Sequence, residues 1–219
     1  MQSVVVVDDH PAIRLAVRSA LEASEQFKIV GEANNGSDAL TMIYDLAPGL
    51  AIVDLGLPKM SGLELIEQLR ATDHSTKLLV FSAQQEAIFA PRAMQAGANG
   101  FLSKTEEMHK LVDAAQAVLS GYSIFPSSAL LSLTSPIGVN ANVLIQSLSD
   151  RELTVLQYLA RGMSNKEIAD TLLISNKTVS SYKARIFDKL GISTVVELVD
   201  FARANHLTKE TLLYPLTCP

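Results

Sequence analysis

Five short apolar runs, each followed by a stretch with helical periodicity, constrain the first 126 residues more than any other feature of the chain. Ser3 to Val7 is β-branched and stops at Asp8-Asp9, and Pro11 then opens a helix whose Ile13, Leu15, Ala16, Val17, Ala20 and Leu21 form a wide apolar stripe. The alternation continues through Phe27 to Ala33 with a helix to Leu46, and Leu50 to Asp54 with a helix from about Gly62 to Arg70. Lys77 to Ser82 with a helix to Ala96, then Gly100 to Lys104 with a helix from Glu106 to Leu119, complete it. Strand followed by helix, five times over, predicts an α/β domain built on a parallel, doubly wound sheet.

In such a sheet the C-terminal ends of the strands share one edge, and ligands bind there. Those ends carry Asp8 and Asp9, Asp54, Ser82 and Lys104, while strand two ends in Ala33-Asn34 and adds no charge. The run Ala51 to Pro58 is apolar up to one carboxylate and then breaks at Gly56 and Pro58, which places Asp54 where a doubly buried strand surfaces. Three carboxylates in one crevice raise one another's pKa unless a cation neutralises them. An all-oxygen site with open positions suits Mg²⁺. Taken singly, an Asp-Asp pair reads as a solvated turn or helix cap, and a Lys at a strand end as surface; only the set in register points to chemistry. His10 has no second His or Cys to support it and reads as a solvated or helix-capping residue.

At 219 residues and 48% hydrophobic, the chain is long enough for one large or two ordinary domains, which excludes disorder as the default. Its net charge of −5 is unevenly spread. Residues 1–126 carry nine Lys/Arg against fifteen Asp/Glu, residues 127–146 carry none, and residues 147–219 carry nine against eight. The acidic average therefore says little about the second half, because electrostatics belong to the domain that makes contact. The single cysteine, Cys218, forms no internal disulfide. No apolar run approaches the roughly 18 residues of a membrane span, and no basic region precedes Val4-Val7. The expectation is a cytoplasmic protein with no membrane partner.

Residues 127–146, rich in Ser with Pro136 and Gly138, read as a linker. Beyond them, Ser149-x-x-Glu152 is a capping box opening Arg151 to Ala160, and Ser164-x-x-Glu167 opens a second helix to about Leu173. The turn Ile174-Ser175-Asn176 leads into a third helix, Lys177 to Leu190, and Thr194-x-x-Glu197 caps a fourth. On the third, Val179, Ile186 and Leu190 share a stripe with Tyr182 at its margin, opposite Lys177, Ser180, Ser181, Ala184 and Asp188. Two helices joined tightly, the second with a small polar face, read as a small all-α helix-turn-helix domain of four helices over 147–219. Lys177, Lys183, Arg185 and Lys189 against Asp188 make residues 177–189 locally basic, which suits DNA; an ordinary solvated helix is the plainer reading of the pattern alone.

Asp8-Asp9, Asp54 followed by Gly56-Leu57-Pro58 and Ser61-Gly62, Ser82-Ala83, and Phe101 three before Lys104 resemble the receiver domain of two-component response regulators. Leu148 to Glu152, Gly162 to Ala169, Ser175 to Val179 and Lys189-Leu190-Gly191 resemble the LuxR-type DNA-binding domain. Together they resemble a NarL/FixJ-type response regulator, nearest the BvgA/EvgA kind. The resemblance implies a sheet in the order 2-1-3-4-5 and a phosphoprotein, not an enzyme, in which Asp54 accepts a phosphoryl group from a sensor histidine kinase. Asp9, Asp54 and the Gly56 carbonyl would bind Mg²⁺, with Asp8 through water. Lys104 would pair with the phosphoryl oxygens, and Ser82 would reorient to let Phe101 turn inward as a switch. Auto-dephosphorylation is part of the same expectation.

By the same resemblance, Ser180, Ser181 and Ala184 would face bases in double-stranded DNA, while Lys177, Thr178, Tyr182 and Lys189 would hold phosphates. The fourth helix, with Val195, Val196, Leu198, Val199 and Phe201, suits either a homodimer contact or core packing. The implied function is phosphorylation-controlled transcription regulation at promoter half-sites. A phosphorylation-independent DNA binder with a vestigial receiver, and a phosphorelay intermediate acting through protein contacts, are the alternatives. A Mg²⁺-dependent phosphohydrolase would need a second acid two residues past the nucleophile, where this chain has Gly56.

Overall fold

A computed structural model describes residues 1–72, 75–127, 129, 144, 145, 147–205 and 207, so most of the expected linker lies outside the described residues. The chain divides into two compact units, Met1–Ile137 and Gly138–Pro219.

The first unit alternates β1 (Gln2–Val7), α1 (Pro11–Ala23), β2 (Phe27–Ala33), α2 (Gly36–Leu46), β3 (Leu50–Val53), α3 (Gly62–Ala71), β4 (Lys77–Ser82), α4 (Glu86–Gln95), β5 (Gly100–Ser103) and α5 (Met108–Leu119). All five strands are parallel, in the order β2-β1-β3-β4-β5. Every residue of β3 is buried, as the uninterrupted apolar run requires of a central strand covered on both faces. On one face, Val4, Val6, Ile52, Leu79 and Phe81 pack with Val17, Leu21, Leu111 and Val118 of α1 and α5. Helix α5 starts at Met108, two residues later than its pattern suggests, because Glu106 N–H bonds back to the Ser103 carbonyl and spends those residues on a turn. After α5 the chain returns to the sheet: Ile124 N–H donates to the Asn99 carbonyl, and the Ile124 carbonyl accepts from Phe101 N–H at 2.7 Å.

The loop from Asp54 to Ser61 is wedged between two helix N-termini. Ser61 and Glu64 form a capping box that starts α3 at once. A Cβ on Gly62 would fall 2.1 Å from the Asp54 carbonyl oxygen, and one on Gly36 would fall 2.4 Å from that of Met60. Glycine at both places lets the helices close onto the loop that carries Asp54.

The second unit contains α6 (Asp150–Ala160), α7 (Asn165–Leu172), α8 (Asn176–Leu190) and α9 (Val195–Ala204). Capping boxes at Ser149/Glu152, Ser164/Glu167 and Thr194/Glu197 are all formed. Ser175 caps α8 one residue earlier than expected, its side chain accepting from Thr178 N–H. Leu173, left-handed at φ 52°, turns the chain between α7 and α8. Val179, Ile186 and Leu190 of α8 are buried with Leu153, Leu156, Ile168 and Leu172. In α9 the apolar residues divide: Leu198 is buried, while Val195 and Val196 are exposed. No helix among the described residues is long and apolar enough to cross a membrane.

Gly62→Ala is expected to destabilise the first unit by about 1–3 kcal/mol in urea denaturation, because the backbone of Asp54 or of α3 must give way to the methyl group.

Candidate functional site

Strand pairing brings the expected residues of the first unit together. β1, β3 and β4 end side by side, so Asp8, Asp54 and Ser82 meet, and Lys104 follows β5 with its N–H on the Ser82 carbonyl. Asp54 is 5% exposed. Its Oδ1 accepts from Leu55 N–H at 2.7 Å and from Ser82 Oγ at 2.6 Å, and its Oδ2 accepts from Lys104 Nζ at 2.7 Å. The same ammonium forms an ion pair with Asp8 Oδ2, so one buried cation bridges two buried carboxylates. Burial raises the Asp8 pKa, the Asp54 charge raises it further, and Lys104 and the His10 N–H only partly offset them. Burial alone would lower Lys104, but Asp54 and Asp8 outweigh it and hold the ammonium more firmly charged than a free lysine.

Asp9 and His10 sit at the open side. The Asp9 side chain is 32% exposed, yet its Oδ1 is shielded from solvent and has no hydrogen-bond donor; the His10 Nδ1, 2.7 Å away, is an ionic neighbour without hydrogen-bond geometry. The His10 ring is 66% exposed and also touches Asp8 Oδ1 at 3.2 Å. It occupies the N-cap position of α1 without a side-chain capping bond, so of the two roles expected for it the solvated one holds. Ligand atoms of Asp8, Asp9, His10 and Asp54 all lie within 4.8 Å of one another. An orphaned carboxylate oxygen beside two further carboxylates fits a hard divalent cation.

The two residues of the expected switch lie close to this centre. Ser82 and Phe101 are both turned inward, 0% and 2% exposed. The Ser82 hydroxyl donates to the Asp54 carboxylate at 2.6 Å.

On the second unit, Ser175, Lys177, Thr178, Ser181, Tyr182 and Arg185 line a polar concavity of about 380 Å³ along one flank of α8. Ser180 and Ala184 are exposed beside it, and Ser180 Oγ accepts from Asn165 Nδ2 of α7. Arg185 belongs to this surface although the sequence pattern assigned it only to the charge count; its spacing one turn beyond Ser181 was the available signal. Lys189, expected on a phosphate, has partners within its own unit. Its Nζ donates to Glu152 Oε2 at 2.6 Å and to the Ser147 carbonyl at 2.9 Å, because the end of α8 crosses the capped start of α6. Burial would raise Glu152, but Lys189 and the Ser149 N–H outweigh it and lower its pKa.

Comparison with known proteins matches residues 4–116 to the response regulator receiver domain and residues 146–202 to the bacterial regulatory proteins of the luxR family. The chain is 52% identical to a transcriptional regulator of Pseudomonas aeruginosa over 94% of its own length and 100% of that protein's. It is 45% identical to the virulence-factor positive transcription regulator BvgA of Bordetella pertussis, over 93% of this chain and 98% of the relative. Among solved structures, RcsB from Salmonella enterica serovar Typhimurium, bound to promoter DNA with the phosphomimetic BeF3⁻, is 27% identical with a TM-score of 0.63. That alignment covers 93% of this chain and 98% of RcsB.

A carboxylate whose folded pKa is depressed contributes stability above its ordinary value and loses it as pH falls through the folded value. Melting of the chain at pH values above and below 4.5 is therefore expected to show the second unit weakening on the acid side, and Glu152→Gln reducing that loss, which Glu167 and Glu197 share, while lowering stability at neutral pH.

Proposed function

The chain belongs to the response regulators, as a receiver joined to a LuxR-type DNA-binding domain in a transcriptional regulator, and we propose that phosphorylation of Asp54 is what controls it. The observation that carries this reading is the buried Asp54 carboxylate, held by Ser82 on one oxygen and Lys104 on the other, beside Asp8 and Asp9.

The phosphodonor is a sensor histidine kinase. A lone pair of the Asp54 carboxylate attacks phosphorus, the P–N bond to the donor imidazole breaks, and its electrons stay on nitrogen. Such transfer asks little covalent work of the protein, so position and charge carry it. Lys104 pairs with the new phosphoryl oxygens at the place where it now holds Asp54. Ser82 moves its hydrogen bond onto the same group, and the added acceptors lock Phe101 inward as the switch. Asp9, Asp54 and the Gly56 carbonyl would hold Mg²⁺, with Asp8 through water, and the ion would supply neutralisation of the developing charge. Water attack on the acyl phosphate then resets the receiver by auto-dephosphorylation.

The output is read by residues 147–219, joined through 127–146 to the receiver of residues 1–126. Ser180, Ser181 and Ala184 face bases, and Lys177, Thr178 and Tyr182 hold phosphates, supported by the concavity they share or border. Val195 and Val196, exposed on α9, pair two copies so that a homodimer reads two half-sites. Chromosomal DNA and the phosphodonor both reside in the cytoplasm, which is where such a protein works.

With acetyl phosphate and Mg²⁺, Asp54→Asn is expected to incorporate no phosphate and to lose any phosphorylation-dependent gain in DNA affinity; incorporation at the wild-type level would reassign the acceptor. Lys177→Ala is expected to reduce the salt slope of DNA binding by about one, as for a lost phosphate contact. Lys189→Met, which breaks its bonds to Glu152 and to the Ser147 carbonyl, is expected to weaken binding with the slope unchanged.

A further inference from the structure

The acidic loop after β1 is held from its side by a cation that belongs to no recognised motif. Arg14 of α1 donates from Nη1 to the backbone carbonyl of Asp8 at 2.7 Å, and from Nε to Glu32 Oε2 at 3.2 Å. Its side chain is 17% exposed. Glu32, at the end of β2, also accepts from Arg18 Nε at 2.8 Å. Burial alone would raise Glu32, yet the Arg18 and Arg14 guanidiniums outweigh it, and the carboxylate is held ionised.

The carbonyl that Arg14 grips lies in the planar peptide joining Asp8 to Asp9. The preceding peptide is fixed as well, since Asp8 N–H donates to the Ala33 carbonyl at 3.1 Å. At its outer end Asp9 has, among the described residues, only the exposed His10 ring, whose Nδ1 lies 2.7 Å from the shielded Oδ1 without hydrogen-bond geometry. The direction of that carboxylate is therefore set by the backbone behind it. We propose that Arg14 is a positioning residue that aims Asp9 at the divalent cation by fixing the Asp8–Asp9 peptide, with Glu32 orienting the guanidinium. The proposal rests on the reading of Asp9 as a metal ligand. Arg14 acts by geometry rather than by field, since Glu32 balances its charge. Arg18 is the natural control: it carries the same charge onto the same Glu32, and its hydrogen bonds among the described residues do not reach Asp8.

Mn²⁺ titration of the full chain, followed by the electron spin resonance of the free ion, tests this on wild type, Arg14→Met, Arg14→Lys, Arg18→Met and Asp9→Asn, each with its melting temperature. Arg14→Met is expected to weaken Mn²⁺ binding by about tenfold or more, the usual cost of losing a residue that orients a ligand. Arg14→Lys, which keeps the charge but cannot span both acceptors, is expected to weaken it too, and Arg18→Met to leave it unchanged. Equal losses in Arg14→Met and Arg18→Met, full affinity in Arg14→Lys, or a loss that merely follows a fall in melting temperature would overturn the proposal. Unaltered Mn²⁺ binding by Asp9→Asn would instead remove the metal reading beneath it.

Discussion

One ammonium group carries the first unit's site. Lys104 stands between Asp8 and Asp54, two carboxylates that β1 and β3 deliver side by side to the same buried corner. Like charges in a desolvated place oppose each other, and Lys104 is what offsets part of the rise that burial and Asp54 impose on the Asp8 pKa. The rest of the sheet is arranged to bring that cation across: β4 separates β3 from β5, and the Lys104 N–H on the Ser82 carbonyl fixes where the side chain sets out. An arrangement balanced this closely is sensitive to added charge, which is what a phosphoryl group brings.

The second unit uses the same device for another end. Glu152, nearly inaccessible to solvent, accepts from Ser149 N–H to cap α6 and from Lys189 at the far end of α8. A single carboxylate thus fixes the angle between the helix that starts the domain and the one that presents the polar concavity. Breaking a buried pair by removing one partner leaves the other charge without compensation, so both residues are structural before they are anything else.

The sequence made the architecture legible where periodicity and capping are local. The β-branched runs marked the strands, and the S/T-x-x-E spacings at Ser149, Ser164 and Thr194 located three helix starts. The convergence of Asp8, Asp9, Asp54, Ser82 and Lys104 was legible too, because parallel strands leave only one edge for their ends. What escaped depends on partners distant in the chain. Nothing near Lys189 announces Glu152, nothing near Arg14 announces Glu32, and the delayed start of α5 follows from a turn closed by its own backbone.

The return of the chain to the sheet at Ile124 has a bearing on self-association. An exposed strand edge is a template for another chain, and a five-stranded parallel sheet has two of them. At β5 the Ile124 segment already fills the hydrogen bonds of Phe101 N–H and the Asn99 carbonyl, so a neighbouring molecule finds that template partly occupied. At β2 the pairing skips Val30, passing from Val4–Ile29 to Val5–Gly31, and the resulting bulge bends the strand away from flat addition. Both edges are therefore poor templates for adding a strand from a second copy.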